Sequence, residues 1–172
     1  NLVIPDVIRK NNKFYDLVQI DDNAFYIDTD HFNSLLTGSL TIGNNVHTIE
    51  QYAFALCSDL NGKLILGNNV VQIEYCAFWS GNFNNENFTI WKNINVGEGA
   101  FIGNKFERLT FCEDIVVEDN AFAMTGSLNE IICDGWTLLP TNWGSGILQQ
   151  LKTTDMSVQS TAIYLQQQFA DF

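Results

Sequence analysis

Basic residues are scarce in this chain: eight Lys and Arg stand against twenty Asp and Glu, a formal net charge of −12. Such a surface repels phosphate backbones and anionic lipid, which argues against nucleic acid or a membrane surface as partner. Histidine is scarcer still. Only His31 and His47 are available as a histidine base, and no G-x-S-x-G elbow accompanies them, so a nucleophilic triad lacks its parts. His47 is expected on the surface. No apolar run approaches the roughly 18 residues of a membrane span, so this segment is not expected to insert into a bilayer. No signal peptide is visible. Residue 1 is Asn rather than Met, and removal of an N-terminal segment, a secretion signal included, is expected.

The four cysteines, Cys57, Cys76, Cys112 and Cys133, contain no C-x-x-C pair, and zinc sites normally show closely spaced ligands. Buried thiols are the favoured reading, ahead of a disulfide between neighbouring segments, with metal last. Asp28, Asp30 and His31 form an acidic cluster without the Gly turn and terminal Glu of a calcium loop. Gly97-Glu98-Gly99 and Gly144-Ser145-Gly146 lack the Lys and helix context of a phosphate loop and read as corners. No cofactor and no metal are expected. Asn87-Phe88-Thr89 matches a glycosylation sequon but falls on an expected strand with Phe88 inward.

What is abundant is one dipeptide. Ala-Phe occurs at 24–25, 53–54, 77–78, 100–101 and 121–122, in steps of 29, 24, 23 and 21 residues. A random order of 9 Ala and 13 Phe among 172 residues would give fewer than one such pair. A period in the twenties implies a solenoid, in which each unit buries its apolar face only against its neighbours. Four residues before each Ala stands an aliphatic: Ile20, Ile49, Ile73, Val96 and Val117. Six or seven residues after it comes an apolar anchor, at Leu60, Phe83, Phe106 and Leu128, with Phe83 ambiguous between core and surface. Alternating pairs follow, at Leu64/Leu66, Phe88/Ile90, Leu109/Phe111 and Ile131/Cys133, with Leu40/Ile42 earlier. Alternation at period two puts both members inward and the residue between them outward. The expected outward ladder is therefore Thr41, Ile65, Thr89, Thr110 and Ile132. Gly43-Asn44-Asn45 and Gly67-Asn68-Asn69 read as repeated corners using left-handed backbone.

The strings IGNNVHTIEQYAFALC and LGNNVVQIEYCAF resemble the BspA-like, or Treponema-type, leucine-rich repeat of bacterial surface proteins. IPDVIRKNNKFYDLVQIDDNAF resembles the opening of that family, an Ile-Pro strand and a hairpin leading into the first Ala-Phe coil. The resemblance covers roughly residues 2 to 133. It departs in lacking the Pro before the V-x-x-I strand, in keeping the Cys after Ala-Phe only as Cys57, and in a long loop from Tyr26 to Thr37. The expected fold is a repeat solenoid, a leucine-rich-repeat-like right-handed coil of short parallel β-strands, mainly β with little helix. Residues 1–133 form the solenoid and 134–172 a C-terminal helical cap of the same domain, its helix starting at Ser157.

The resemblance implies a cell-surface or secreted bacterial protein that binds a host extracellular-matrix or cell-surface protein, or a glycan. The expected function is a noncatalytic interaction or adhesion module, acting as a monomer. The alternatives are a structural spacer in a larger surface protein and a glycan-processing enzyme using Glu113/Asp114 with Glu118/Asp119; acidic residues beside strands more often just face water. Trp79, Trp91, Trp136 and Trp143 fall outside the core ladders. The candidate ligand-binding residues are Trp79, Trp91, Thr41, Ile65, Thr89 and Thr110, because exposed aromatics and a rigid strand face suit a partner.

Overall fold

The computed structural model describes residues 1–26, 36–91, 93–112, 115–118 and 120–133. Within them the chain is a β-solenoid whose strands are two to four residues long, with no helix among the described residues. The expected helical cap at 134–172 lies outside the described residues, as do the loop residues 27–35.

Strands β1 (Leu2–Ile4), β5 (Leu40–Ile42) and β7 (Leu64–Ile65) pair in parallel as one sheet. Strands β9 (Phe88–Ile90), β11 (Arg108–Phe111) and β13 (Glu130–Cys133) form a second parallel sheet further along the chain. Another line of the coil is β4 (Gln19–Ile20), β6 (Thr48–Ile49), β8 (Gln72–Ile73), β10 (Asn95–Val96) and β12 (Val116–Val117), paired in parallel in that order. Between β1 and β4 the chain leaves the coil as an antiparallel hairpin, β2 (Val7–Lys10) with β3 (Lys13–Asp16). Its turn is Asn11-Asn12, both at positive φ (53° and 60°), the backbone that a two-residue hairpin requires.

The Ala-Phe register is reproduced in space. Phe25, Phe54, Phe78, Phe101 and Phe122 stack face to face along the solenoid at 4.8, 5.4, 5.2 and 4.9 Å between centroids. Ala53, Ala77, Ala100 and Ala121 are fully buried and let the chain pass closely. Each Phe amide donates to the Ala carbonyl of the next coil, from Phe25 to Ala53 through Phe101 to Ala121. The anchors Leu60, Phe83, Phe106 and Leu128 are all buried, so Phe83 is core, edge-on to Phe78 at 6.0 Å. Cys57 is buried too; burial pushes its thiol up to about 12, and it donates to the Phe25 carbonyl at 3.0 Å. Cys57 and Cys76 are free buried thiols, while Cys112 is half-buried and the Cys133 side chain lies outside the described residues.

The Gly-Asn-Asn corners differ from expectation. None of Gly43, Asn44, Asn45, Gly67, Asn68 and Asn69 has positive φ. Glycine is needed there for close approach instead: a Cβ on Gly67 would lie 2.1 Å from the Gly43 carbonyl oxygen. The corners are stitched by side chains, the Asn68 amide donating to Asn44 Oδ1 at 3.0 Å and the Asn44 amide to Asp6 Oδ1. Left-handed backbone sits beside Ala-Phe. The residue before Ala (Asn23, Tyr52, Cys76, Gly99, Asn120) and the residue three after it (Leu56, Ser80, Gly103, Met124) all have positive φ. The carbonyl of each residue before Ala accepts from the amide three residues on, as Tyr52 does from Ala55 at 3.0 Å and Cys76 from Trp79 at 3.1 Å, and the left-handed backbone there comes at a cost for the non-Gly occupants.

Two buried asparagines complete the scaffold. The anchor-to-strand spacing is five residues from Phe83 to Phe88 but three from Phe106 to Leu109, so one coil carries extra chain just before β9. Strand pairing between β7 and β9 lapses there. The Asn85 side chain replaces it, Nδ2 donating to the Leu64 carbonyl at 2.8 Å and Oδ1 accepting from the Leu64 amide at 2.9 Å. Asn104, fully buried, accepts from the Phe83 amide at 3.0 Å and donates to the carbonyls of Phe78 and Phe101, each at 2.9 Å. It stands four residues after Ala100, where Cys57 stands after Ala53; both donate to the Phe carbonyl of the preceding coil.

Candidate functional site

The strand alternation fixes an outward row on each of the two three-stranded sheets. Val3 pairs with Thr41 and Thr41 with Ile65 in the first sheet; Thr89 pairs with Thr110 and Thr110 with Ile132 in the second. The flanking residues of each strand, such as Leu40 and Ile42 or Phe88 and Ile90, are buried, so the middle residues point away from the core. Val3 and Ile65 are 63% and 51% exposed, whereas Thr41, Thr89 and Thr110 are half-buried by their neighbours in the stack. β-branched side chains suit this pleated surface, and their stiff χ1 makes it rigid before any partner arrives.

Trp91 follows β9 by one residue, so alternation carries it to the same face as Thr89. It is half exposed. Trp79 belongs elsewhere. It follows Phe78 on the Ala-Phe turn, where its carbonyl accepts from the Leu56 amide at 2.8 Å, and it is half-buried rather than free. The structure therefore assembles Thr41, Ile65, Thr89, Thr110 and Trp91 on the strand side and leaves Trp79 on another stack of the coil. Trp136 and Trp143 lie outside the described residues.

A polar row borders the ladder. The Thr110 hydroxyl donates to Asn87 Oδ1 at 3.0 Å, and Arg108 pairs with Glu130 across β11 and β13. Phe88 is buried, so the sequon runs along β9 with only Asn87 and Thr89 outward. His47 is exposed, as expected. Among the described residues no three His, Cys, Asp or Glu side chains are placed to hold a metal ion. The cluster at Asp28, Asp30 and His31, and Glu113, Asp114 and Asp119, lie outside the described residues. No helix among the described residues is long and apolar enough to cross a membrane.

Sequence reading missed Val3 as the first rung. The signal was present, since Leu2 and Ile4 alternate as Leu40 and Ile42 do. It also missed Asn85 and Asn104, because asparagine in a repeat of Gly-Asn corners reads as one more turn residue.

Comparison with known proteins agrees with this architecture. No curated protein sequence matches the chain. Among solved structures, the pneumococcal vaccine antigen PcpA is similar, at 17% identity and a TM-score of 0.52, over 78% of this chain and 40% of that one; the likeness is one of fold. This chain thus corresponds to less than half of PcpA's length. A profile of the BspA type leucine rich repeat region matches residues 18–142 in six copies, beginning at the β4 coil and reaching past residue 133. With an Ala-Phe register that recurs coil by coil and a family match over most of its length, the chain belongs to the BspA-type leucine-rich repeat family.

Proposed function

We propose that the chain is a noncatalytic protein-interaction or adhesion module of a bacterial cell-surface or secreted protein. It presents the ladder Thr41, Ile65, Thr89 and Thr110, with Trp91 beside it, to a host extracellular-matrix or cell-surface protein or to a glycan. The observation that carries this reading is the pair of in-register outward stacks: exposed aliphatics line the β1–β5–β7 sheet, and a half-exposed tryptophan follows the outward threonines of the β9–β11–β13 sheet. A rigid surface loses little entropy on binding, and an exposed indole supplies the anchor that most interfaces depend on. The family and the fold shared with a pneumococcal vaccine antigen support the location. Trp79 remains a secondary candidate, at the edge of the turn stack.

The test is a binding screen of the chain against immobilised matrix proteins and a glycan array, repeated with Trp91→Ser. The expected outcome is saturable binding to one class that the substitution weakens about tenfold, with an unchanged melting temperature. Absence of binding to both classes would replace this reading with that of a structural spacer.

A further inference from the structure

A second surface lies on the Ala-Phe side, away from the ladder. Tyr26, Tyr52 and Tyr75 come from three successive coils and meet edge to face, at 6.4 Å between Tyr26 and Tyr52 and 5.4 Å between Tyr52 and Tyr75. Tyr26 and Tyr75 are each 39% exposed and Tyr52 is half-buried between them. The central ring is held there by left-handed backbone, φ 54°, a conformation that an aromatic residue adopts only at a cost. Hydrogen bonds with the Tyr52 and Cys76 side chains push the Tyr75 hydroxyl up to about 12, so that hydroxyl stays neutral at physiological pH.

Carboxylates run beside the row. Asp21, Asp22, Glu50 and Glu74 stand near enough for the three others, after burial, to push the Glu50 carboxyl up. Glu98 continues the line next to Cys76. Among the described residues no Lys, Arg or His forms an ion pair with any of the five. Acidic groups alone would be a solvated face; three contiguous tyrosine rings among them are not. Ring faces attract cations, and the surrounding carboxylates raise the local concentration of cations while repelling anionic ligands.

We propose that the Tyr26-Tyr52-Tyr75 row is a docking strip for an extended, arginine-bearing peptide segment of a protein partner, lying along the solenoid axis. The segment's arginines face the row, each guanidinium against a ring and within reach of a carboxylate. Arginine is favoured over lysine because its plane stacks on an aromatic while its fork engages a carboxylate. This site is separate from the strand ladder and stands or falls without it.

The test uses the whole chain and a labelled peptide of alternating arginine and threonine, titrated by fluorescence anisotropy at low and high salt, beside a lysine-threonine peptide. The expected result is saturable binding, several-fold tighter for arginine. Tyr75→Ala should weaken it about tenfold and Tyr75→Phe should leave it nearly intact, while Trp91→Ser has no effect. If circular dichroism shows Tyr75→Ala to be unfolded, Tyr26→Ala at the exposed end of the row takes its place. Equal binding of arginine and lysine peptides, or binding indifferent to both tyrosine substitutions, overturns the proposal, as does no saturable binding. Self-association that Arg9→Ala abolishes, and that competes with the peptide, would make a second copy the occupant and overturn it too.

Discussion

The stacked coils and the β2–β3 hairpin are built from strands of similar length, yet they hold together in different ways. In the coils every strand pairs with one from a neighbouring repeat, and its inward side chains reach a continuous core from Ile4 to Ile131. In the hairpin all eight strand residues are exposed, with Phe14 at 74%. Its order comes from local chemistry: the Asn11-Asn12 turn, four cross-strand pairs, and the Arg9 guanidinium 5.8 Å from the Phe14 ring. A bare two-stranded hairpin is marginal in water. The difference teaches that strand propensity contributes little here and stacking contributes most, so substitutions of the same kind should differ sharply between the two regions.

The largest contrast is expected at the phenylalanine stack. Phe78 lies between Phe54 and Phe101 with no exposed surface. Phe78→Ala should cost about 3 to 5 kcal/mol, the usual range for a cavity of that size. Chemical denaturation of the substituted chain measures it, and a midpoint shift under about 1 kcal/mol would mean that the coils are not held by this stack.

Next comes the asparagine seam. Asn85→Ala would leave the Leu64 amide and carbonyl unpaired in the core, at about 2 to 4 kcal/mol for the two groups. Hydrogen exchange at the Leu64 amide is the direct readout: strong protection in the parent chain, lost in the variant. Because β7 and β9 do not pair, this seam is where a solenoid stabilised by neighbour contacts should open first.

Much of this was legible from composition and spacing. The Ala-Phe period, the inward pairs and the outward threonines follow from the two-residue alternation of strands, and Leu60, Phe83, Phe106 and Leu128 all prove to be core. The places where reading failed have physical causes. Asn85 and Asn104 look like turn residues because sequence cannot tell an amide facing water from one satisfying buried backbone. The Gly-Asn-Asn corners look left-handed because glycine serves both positive φ and close approach; only the contact between Gly67 and Gly43 separates them. Trp79 looks as free as Trp91 because neither falls on an inward register position, yet one sits on a packed turn and the other on a strand face. The tyrosine row was invisible for a related reason: Tyr26, Tyr52 and Tyr75 occupy different offsets from Ala-Phe and meet only in space.

A smaller effect of opposite sign is expected at Ser80. It holds φ 54° at the position where the next coil has Gly103 at 75°. Ser80→Gly should stabilise the chain by about 0.5 to 1 kcal/mol, because relief of left-handed strain outweighs the added freedom of the unfolded chain. The reverse change, Gly103→Ser, should destabilise. A raised melting temperature in the first and a lowered one in the second would tie the repeat's backbone strain to these positions rather than to its corners.

The smallest effect should be in the hairpin. Phe14→Ser removes a side chain as large as that of Phe78, but one that contacts solvent and the Arg9 guanidinium instead of a core. An exposed cation–π contact is worth about 0.5 to 1 kcal/mol to the hairpin itself, and the hairpin shares no buried side chain with the coils. Global stability should therefore move by less than about 0.5 kcal/mol, while amides of β2 and β3 exchange faster. A global loss of 2 kcal/mol or more would show that the hairpin is coupled to the stack, through Asp6, whose side-chain oxygen accepts from the Asn45 amide at 3.2 Å at the first corner. That result would make the hairpin a cap of the solenoid rather than an excursion from it.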